Sequence, residues 1–524
     1  MTPPRAMVTK GLRALIVIGL GLALVAGAGS VLVSGLGSGP SSPQDPPYST
    51  PENSAPRLPE RSGITQPPPG AGPQRYGQQQ VTWGRCPDGE PHHECAEVLA
   101  PLDWTGPDHQ ALTLFLRRVP ASEQPRLGTL FVNPGGPGEP GSGLAATFAR
   151  QGLERYDILG WDPRGTGRST PVVCGSNEEL DAYVEVDTSP DNEAERQALI
   201  AADRAFGQSC LVESGELLQH ISTVDTVADL ELLRQLVGEA QLNYFGYSYG
   251  TDIGSRYAHT YPDRVGRMVL DGAVNVTGSS VTQAVGFDRA LTAFAHWCVE
   301  EGCRLGAEPQ HVIETVTGLL DHVDEYPLLV GERRLTQAQA LSGVLVALYG
   351  AEDSWRLLSE AITGVRSGDG ALLLRMADRY NARHANGTYD SRFAAFAAIR
   401  CLDRGGPDLA EAERRAQARA DQAPALGPYF GPDYVCATWP VPSQPSPEPV
   451  VAAGAPPILV IGATGDSATP YESATAMAAQ LESGVLLTYD GPGHAIYGGR
   501  SACVDAAVVR YFTQPEPPIE QTCR

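Results

Sequence analysis

The sequence predicts an α/β fold, with a mostly parallel, doubly wound sheet and an inserted helical cap. Short, near-continuous apolar runs such as 458–462 are typical of strands buried on both faces of a parallel sheet. Between these runs, apolar residues recur at helical spacing, as they do within 222–238. The segment 274–422 is rich in Ala and Leu and contains no clear strand pattern. Strands that alternate with helices indicate a doubly wound sheet, and the helical segment between them indicates a cap.

The N-terminal region predicts export. Residues 1–33 combine a basic leader with an apolar stretch, which is typical of a signal peptide or a membrane anchor. The small-residue sequence Ala26-Gly27-Ala28 resembles a cleavage site, and both alternatives place the rest of the chain outside the cytoplasm. Residues 34–80 are rich in Pro, Ser, Gly and Gln, which predicts a disordered linker. The folded part is therefore expected to begin near Val81.

The predicted sheet comes from two parts of the chain. The first part of the core covers 81–273, the helical cap covers 274–422, and the second part of the core covers 423–524. The predicted strands are 112–117, 129–133, 157–161, 242–246, 268–271, 458–462 and 486–489. Because strand patterns resume after the cap, an insertion into one domain is favoured over a second domain.

Charge and cysteine content narrow the function and the compartment. The formal net charge of −23 disfavours binding to nucleic acid. The ten cysteines include no CxxC pair, which argues against zinc sites and redox motifs. An even number of cysteines in neighbouring couples fits disulfides in an exported protein. The sequence leaves their connectivity open, and free buried thiols are the alternative.

The strongest catalytic motif is G-x-S-x-G, with Ser248 at its centre between Gly246 and Gly250. A predicted strand precedes it and helical sequence follows, which is the context that a nucleophilic serine requires. The glycines permit a sharp turn, and the helix N-terminus directs positive charge at a developing anion. Chance occurrence in a glycine-rich chain is the competing interpretation. We therefore predict that Ser248 is a nucleophile.

A base and an acid should follow the serine along the chain. His494 comes directly after a predicted strand near the C-terminus, where a loop can return to the nucleophile. Asp466 follows the strand before that one and is the favoured acid. Asp271 is its rival, because it also ends a strand. A surface role remains the alternative for His494.

Backbone N–H groups are expected to stabilise the oxyanion. One is predicted to come from Tyr249, the residue after the nucleophile. The other is predicted in the Gly135 and Gly136 region of the sequence NPGGPG, which follows a strand. A structural turn is one alternative. A phosphate loop is another, but the GxxxxGK[ST] motif is absent and Lys10 is the only lysine.

Together these residues resemble the tripeptidyl aminopeptidase branch of the proline-iminopeptidase-like serine peptidases, which have the α/β-hydrolase fold. The resemblance extends from Trp83 almost to the C-terminus. It includes 101–104, the NPGGPG loop, the WDPRGTGRS segment at 161–169, the nucleophile turn, 466–470 and Gly493-His494, with Cys503 and Cys523 matching as a pair. Pro140 departs from the family pattern, where a small residue is expected.

The resemblance implies an exported peptidase that removes short peptides from a free N-terminus, without a metal or organic cofactor. Its catalytic triad would be Ser248, Asp466 and His494. A substrate amine should meet a carboxylate, for which five residues remain open: Glu300, Glu301, Glu352, Asp353 and Asp403. A carboxylesterase or lipase with the same triad is the first rival function. A non-catalytic cell-surface module is the second, but such modules are expected to lose a triad member.

Overall fold

In the computed structural model, residues 63–276, 280–445 and 449–524 are described. They form a large twisted sheet flanked by helices. The strands are β1 (Gly84–Arg85), β2 (Glu94–Pro101), β3 (Ala111–Val119), β4 (Gly128–Asn133), β5 (Tyr156–Trp161), β6 (Leu242–Tyr247), β7 (Val265–Asp271), β8 (Leu328–Val330), β9 (Arg333–Leu335), β10 (Ile458–Gly465), β11 (Gly484–Pro492) and β12 (Gln521–Cys523).

The helices surround this sheet and also fill the segment between β7 and β10. They are α1 (Gln74–Gly77), α2 (Gly141–Thr147), α3 (Asn177–Val184), α4 (Glu193–Ser214), α5 (Thr223–Leu236), α6 (Gly250–Thr260), α7 (Ser280–Glu300), α8 (Pro309–Glu325), α9 (Gln337–Leu348), α10 (Glu352–Arg366), α11 (Ala371–Tyr380), α12 (Ser391–Arg404), α13 (Leu409–Gln422), α14 (Tyr434–Ala437), α15 (Tyr471–Gln480) and α16 (Ala502–Thr513).

Over the described residues, the main sheet has ten strands in the order β1-β2-β3-β5-β4-β6-β7-β10-β11-β12. Along this order, neighbouring strands from β1 to β5 pair antiparallel. The remaining neighbours, β5-β4-β6-β7-β10-β11-β12, pair parallel. The central strands β4 and β5 are buried along their whole length, as expected for strands covered on both faces. This is the α/β-hydrolase arrangement, and it confirms the predicted fold class. All seven predicted strands are present, with ends that differ by a few residues.

The parallel strands bring their carboxyl ends to one edge of the sheet. Strand β6 lies between β4 and β7, and β10 pairs with both β7 and β11. The turns after β4, β6, β7, β10 and β11 therefore meet at this edge, which is where ligands bind in open α/β sheets.

The segment assigned by sequence to a cap contains helices α7 to α13 and the small hairpin β8–β9. Side chains from α7 through α11 share an apolar core that is distinct from the sheet core and also includes Leu426 and Tyr429. Helix α12 instead packs into the sheet core through residues such as Ala398 and Leu402. The hairpin lacked a clear sequence signal because each of its strands has only three residues.

The expectation that the folded part begins near Val81 is wrong, because residues before Val81 already pack against the fold. Tyr76 on α1 is fully buried, and its hydroxyl donates to the carbonyl of Pro107 at 2.9 Å. Thr65 exchanges two backbone hydrogen bonds with Ala111 at the edge of the sheet. Composition averaged over 34–80 does not show the contribution of a single buried aromatic side chain such as Tyr76. The predicted signal or anchor at 1–33, and 34–62 of the predicted linker, lie outside the described residues.

All ten cysteines form disulfides, and each pairs with its neighbour in sequence. The bonds are Cys86–Cys95, Cys174–Cys210, Cys298–Cys303, Cys401–Cys436 and Cys503–Cys523. Such bonds fit an extracytoplasmic protein. Within the ranges that the structure describes, no helix is both long and apolar enough to cross a bilayer.

Candidate active site

Ser248 occupies a sharp turn between strand β6 and helix α6. Its φ angle is +53°, a left-handed conformation that non-glycine residues rarely adopt and that is found at functional turns. The Ser248 N–H donates to the carbonyl of Asp271 at 2.9 Å, and its carbonyl accepts from the Thr251 hydroxyl at 2.6 Å. A Cβ on Gly246 would lie 2.4 Å from the Gly250 carbonyl oxygen. The turn therefore requires the glycine that the motif supplies there.

His494 follows β11, and its imidazole is held by Asp466. Nδ1 of His494 lies 3.0 and 2.9 Å from the two carboxylate oxygens of Asp466. The Asp466 side chain is fully buried and that of His494 is 11% exposed. His494 and Ser248 line the same cavity. The structure thus brings the three predicted triad residues to one edge of the sheet, with Nε2 as the imidazole nitrogen that Asp466 does not hold.

A threonine completes the setting of the carboxylate. Thr469 donates its hydroxyl to Asp466 at 3.0 Å, and that hydroxyl also lies 3.2 Å from His494 Nδ1. The backbone N–H groups of Ala468 and Thr469 each donate to Asp466 at 2.9 Å. These donors stabilise the charged carboxylate and fix its position. The sequence motifs give Thr469 no role of its own, although the D-x-x-T spacing at 466–469 is visible in the sequence.

The environment of His494 raises the pKa of its imidazole. Burial by itself lowers the pKa, but the negative charge of Asp466 and the hydrogen bond to it outweigh burial. The backbone N–H of His494 donates to the carbonyl of Tyr349 at 3.1 Å, and the two rings meet edge to face with centroids 5.6 Å apart. Tyr349 follows helix α9, so the helical segment contributes to holding the imidazole.

Asp271, the rival acid, is fully buried but forms no hydrogen bond to the imidazole. Its Oδ2 accepts from the backbone N–H groups of Ile496 and Tyr497 at 2.9 and 2.8 Å. Burial raises the pKa of Asp271 to about 6. Its contacts support the loop that carries His494, whereas Asp466 contacts the ring itself.

The expected oxyanion donors are only partly available. A Cβ on Gly135 (φ +93°) would lie 2.8 Å from the Tyr249 nitrogen, so only glycine lets this loop approach the nucleophile turn. However, the Gly135 N–H already donates to Oδ1 of Asn133 at 2.9 Å. This corrects the expectation for Gly135. Among the described residues, neither Tyr249 N–H nor Gly136 N–H has a hydrogen-bond acceptor, so these two groups are free to bind an anion.

The loop is also tied to the helical segment. Glu139 forms an ion pair with Arg392 of helix α12. Pro140, the departure from the family pattern, lies directly before α2 in an extended conformation. Proline suits that place, because a helix start leaves its first N–H groups unpaired. The departure therefore leaves the glycine turn beside Ser248 intact.

Of the five acidic residues expected to include an amine-binding group, four are exposed, and Asp403 is linked through Thr223 to the side chain of Tyr249 in the nucleophile turn. Asp403 accepts from the backbone N–H of Thr223 at 2.9 Å and from the Thr223 hydroxyl, which also contacts the hydroxyl of Tyr249. Burial raises the pKa of Asp403 to about 7. Glu300 and Glu352 line a separate cavity of about 460 Å³ beside Trp297.

The WDPRGTGRS segment has a structural role. Arg164 is fully buried and forms a two-point ion pair with Asp229, at 2.7 and 2.6 Å. Its remaining N–H groups donate to the carbonyls of Pro101, Leu102 and His220. This network joins the segment to helix α5 and to the end of strand β2, and it does not contact Ser248.

Comparison with known proteins agrees with this geometry. Residues 128–294 match the family model described as the alpha/beta hydrolase fold, and residues 423–523 match the model described as TAP-like protein. The chain is 34% identical to serine protease Hip1 of Mycobacterium tuberculosis over 482 residues, covering 85% of this chain and 91% of that protein. It is 35% identical over 453 residues to carboxylesterase B of the same species, covering 82% and 86%. It is 29% identical over 444 residues to tripeptidyl aminopeptidase of Streptomyces lividans, covering 80% and 81%.

Proposed function

The chain belongs to the TAP-like branch of the α/β-hydrolase family, and from that premise we propose that it is an exported serine aminopeptidase. It is an enzyme of the serine hydrolase class. The proposed reaction is hydrolysis of a peptide bond near a free N-terminus, with release of a short peptide. The observation that carries the proposal is the geometry of one site, where Ser248 and an imidazole held by Asp466 share a cavity.

The proposed mechanism is acyl transfer in two steps. Ser248 attacks the scissile carbonyl carbon while His494 accepts its proton at Nε2. The tetrahedral anion accepts hydrogen bonds from the free N–H groups of Tyr249 and Gly136. His494 then protonates the leaving amine, and the C–N bond breaks. Water next attacks the acyl-enzyme with His494 as base, which releases the peptide and restores Ser248.

Two observations support a peptide substrate with a free amine. A relative named tripeptidyl aminopeptidase is similar over 444 residues, and the TAP-like model covers the part of the chain that carries Asp466 and His494. The chain is strongly acidic, with a formal net charge of −23, which favours the approach of a cationic N-terminus.

Export is supported by the five disulfides and by the basic and apolar leader of the sequence.

Carboxylesterase activity is the second candidate function. It is favoured by the similarity to carboxylesterase B over 453 residues. The same nucleophile, base and oxyanion donors would cleave an oxygen ester, and an ester needs no protonated amine as leaving group. The two functions therefore differ in substrate and share their chemistry.

Three chromogenic substrates distinguish these functions on the purified protein. They are a tripeptide anilide with a free amine, the same peptide N-acetylated, and a short-chain nitrophenyl ester. An aminopeptidase cleaves the free-amine peptide and loses most turnover on acetylation. Rapid ester hydrolysis with neither peptide cut would replace the proposal with the esterase function.

A matched pair of variants tests the nucleophile. Ser248→Ala is expected to lose nearly all turnover, on the order of 10⁶-fold. Ser255→Ala, on helix α6, removes a hydroxyl that donates only to the Asp252 carbonyl and should stay close to wild type. Wild-type turnover in Ser248→Ala would exclude the proposed mechanism.

A further inference from the structure

A cavity of about 330 Å³ opens beside Ser248 and His494. One wall comes from helix α2 and the residues after it, including Leu144, Phe148 and Ala149. The lining also includes Tyr247 and Tyr497. Among the described residues that line this cavity, none is Asp, Glu, Lys or Arg. Apart from the imidazole, the lining next to the nucleophile therefore carries no ionisable acidic or basic side chain, and most of it is aliphatic or aromatic.

The aromatic residues that line the cavity, Phe148, Tyr247 and Tyr497, form a rigid wall, which we call the aromatic wall. The rings of Phe148 and Tyr497 lie 5.5 Å apart, and both pack against the buried ring of Phe245 at 5.4 and 5.0 Å. Phe245 also packs against Tyr247 with centroids 4.6 Å apart. Phe148, Phe245 and Tyr497 pack against one another and Tyr247 packs against Phe245, so these contacts restrict the rotation of the rings and the wall is preformed.

The two tyrosine hydroxyls are already bound to the backbone. Tyr247 donates to the carbonyl of Tyr497 at 3.1 Å, and Tyr497 donates to the carbonyl of Ala149 at 2.8 Å. Each hydroxyl has a single proton, so neither can donate a second hydrogen bond to a substrate. The wall therefore offers mainly ring surface, which favours apolar contact over polar recognition.

We infer that this cavity is the subsite for an uncharged, apolar side chain on a substrate residue that flanks the scissile bond. The inference rests on the proposed function and adds the side-chain class that the enzyme selects. A volume of about 330 Å³ has room for a side chain as large as that of Leu or Phe. A Lys, Arg, Asp or Glu side chain would lose water there without gaining a charged partner.

Two substrate panels test the inference and locate the side chain. The first panel varies the acyl-side residue of free-amine tripeptide anilides through Ala, Leu, Phe, Lys and Glu. The second panel keeps that residue constant and varies the residue after the scissile bond in internally quenched peptides. In one of the panels kcat/KM for Leu or Phe should exceed that for Lys and Glu at least about tenfold. Equal rates in both panels, or a preference for charged residues, would overturn the inference.

Variants of helix α2 connect the selectivity to this cavity. Leu144→Glu places a carboxylate in the wall and should shift the Lys-to-Leu ratio of kcat/KM toward Lys at least about tenfold. Ala146→Glu adds the same charge to the same helix, away from the cavity lining, and should leave the ratio unchanged. An equal shift in both variants would show that the added charge acts at long range and would refute the subsite.

A second variant keeps the test valid if Leu144→Glu fails to fold. Ala149→Leu narrows the cavity, so it should lower kcat/KM for Phe at least about tenfold more than for Ala. An unchanged Phe-to-Ala ratio in a folded Ala149→Leu protein would overturn the inference. Failure of the proposed function is a separate result, seen as loss of the free-amine requirement. If only esters are hydrolysed, acyl esters of increasing chain length replace the peptides and test the same cavity.

Discussion

Both carboxylate oxygens of Asp466 lie within hydrogen-bonding distance of the same imidazole nitrogen, Nδ1 of His494, at 3.0 and 2.9 Å. This arrangement favours the tautomer with a proton on Nδ1, which leaves Nε2 unprotonated as the base. It also places a buried negative charge beside a group that becomes positive during the proposed reaction. The pKa of His494 is raised for the same reason.

The first prediction concerns the pH dependence of the reaction. Only neutral His494 can accept the serine proton. Because the pKa of His494 is raised, the acid limb of the kcat/KM profile should have its midpoint above the ordinary imidazole pKa of about 6.5. Asp466→Asn removes the charge that raises the pKa. This variant should move the acid limb to lower pH and reduce kcat about 10⁴-fold. Rates from pH 5 to 9 measure both effects, and an acid limb that stays in place would contradict the assignment of Asp466.

The second prediction separates the two buried aspartates. Asp271→Asn keeps an oxygen that can accept from Ile496 and Tyr497, and it changes no contact with the imidazole. Its kcat should fall by no more than about 30-fold, because the only expected effect is a small shift of the loop that carries His494. The matched Asp466→Asn variant should lose far more. If Asp271→Asn is the more damaging change, Asp271 is the acid.

The third prediction concerns the anchor of the glycine loop. Asn133 holds the Gly135 N–H at 2.9 Å and is almost fully buried. Asn133→Asp keeps the acceptor but brings negative charge close to the proposed oxyanion, so kcat should fall on the order of 10²-fold with a smaller change in KM. Asn243→Asp, at the other end of the neighbouring strand β6, serves as the control. A change confined to KM would argue against an oxyanion at this loop.

The fourth prediction concerns stability and the buried ion pair of Arg164. Arg164→Lys cannot reproduce the two-point contact with Asp229 and leaves carbonyls without donors. The free energy of unfolding should fall by about 3–5 kcal/mol in urea titrations. Arg168→Lys, four residues later and exposed, should change it by about 0.5 kcal/mol or less. Equal effects would mean that the segment is not anchored through Arg164.

The fifth prediction concerns the pH dependence of stability. Burial raises the pKa of Asp203 on helix α4 to about 7, and Tyr183 donates to it at 2.7 Å. The folded state therefore holds a proton that the unfolded chain releases near pH 4, so stability falls as the pH rises from about 4 to 7. Asp203→Asn removes the titrating carboxyl and with it this dependence of stability on pH. Wild type should lose on the order of 3 kcal/mol more than Asp203→Asn between pH 5 and 8.

Thermal unfolding at both pH values provides the measurement, and Asp421→Asn on an exposed helix face provides the control. A parallel decline in wild type and Asp203→Asn would show that Asp203 is already charged in the folded protein at pH 5.

The sequence by itself determined the features that depend on local spacing. Apolar runs of strand length marked seven of the ten strands of the main sheet, because strands buried on both faces need apolar side chains throughout. The spacing around Ser248 marked the nucleophile turn, because glycines must flank it for steric reasons. The even number of cysteines in neighbouring couples was visible as well. Their pairing was left open, because connectivity depends on which sulfur atoms the fold brings together.

Only the tertiary structure decided the features that join distant parts of the chain. Asp271 ends β7 and Asp466 directly follows β10. Only the fold directs Asp466 to the imidazole and Asp271 to the backbone of Ile496, which lies 225 residues after Asp271 in the chain. Gly135 and Gly136 are adjacent, and the contact with Asn133 removes one of them as a donor. Tyr76 is buried, and its hydroxyl donates to the carbonyl of Pro107, which lies 31 residues later in the chain. Such choices follow from three-dimensional proximity, which a one-dimensional pattern does not contain.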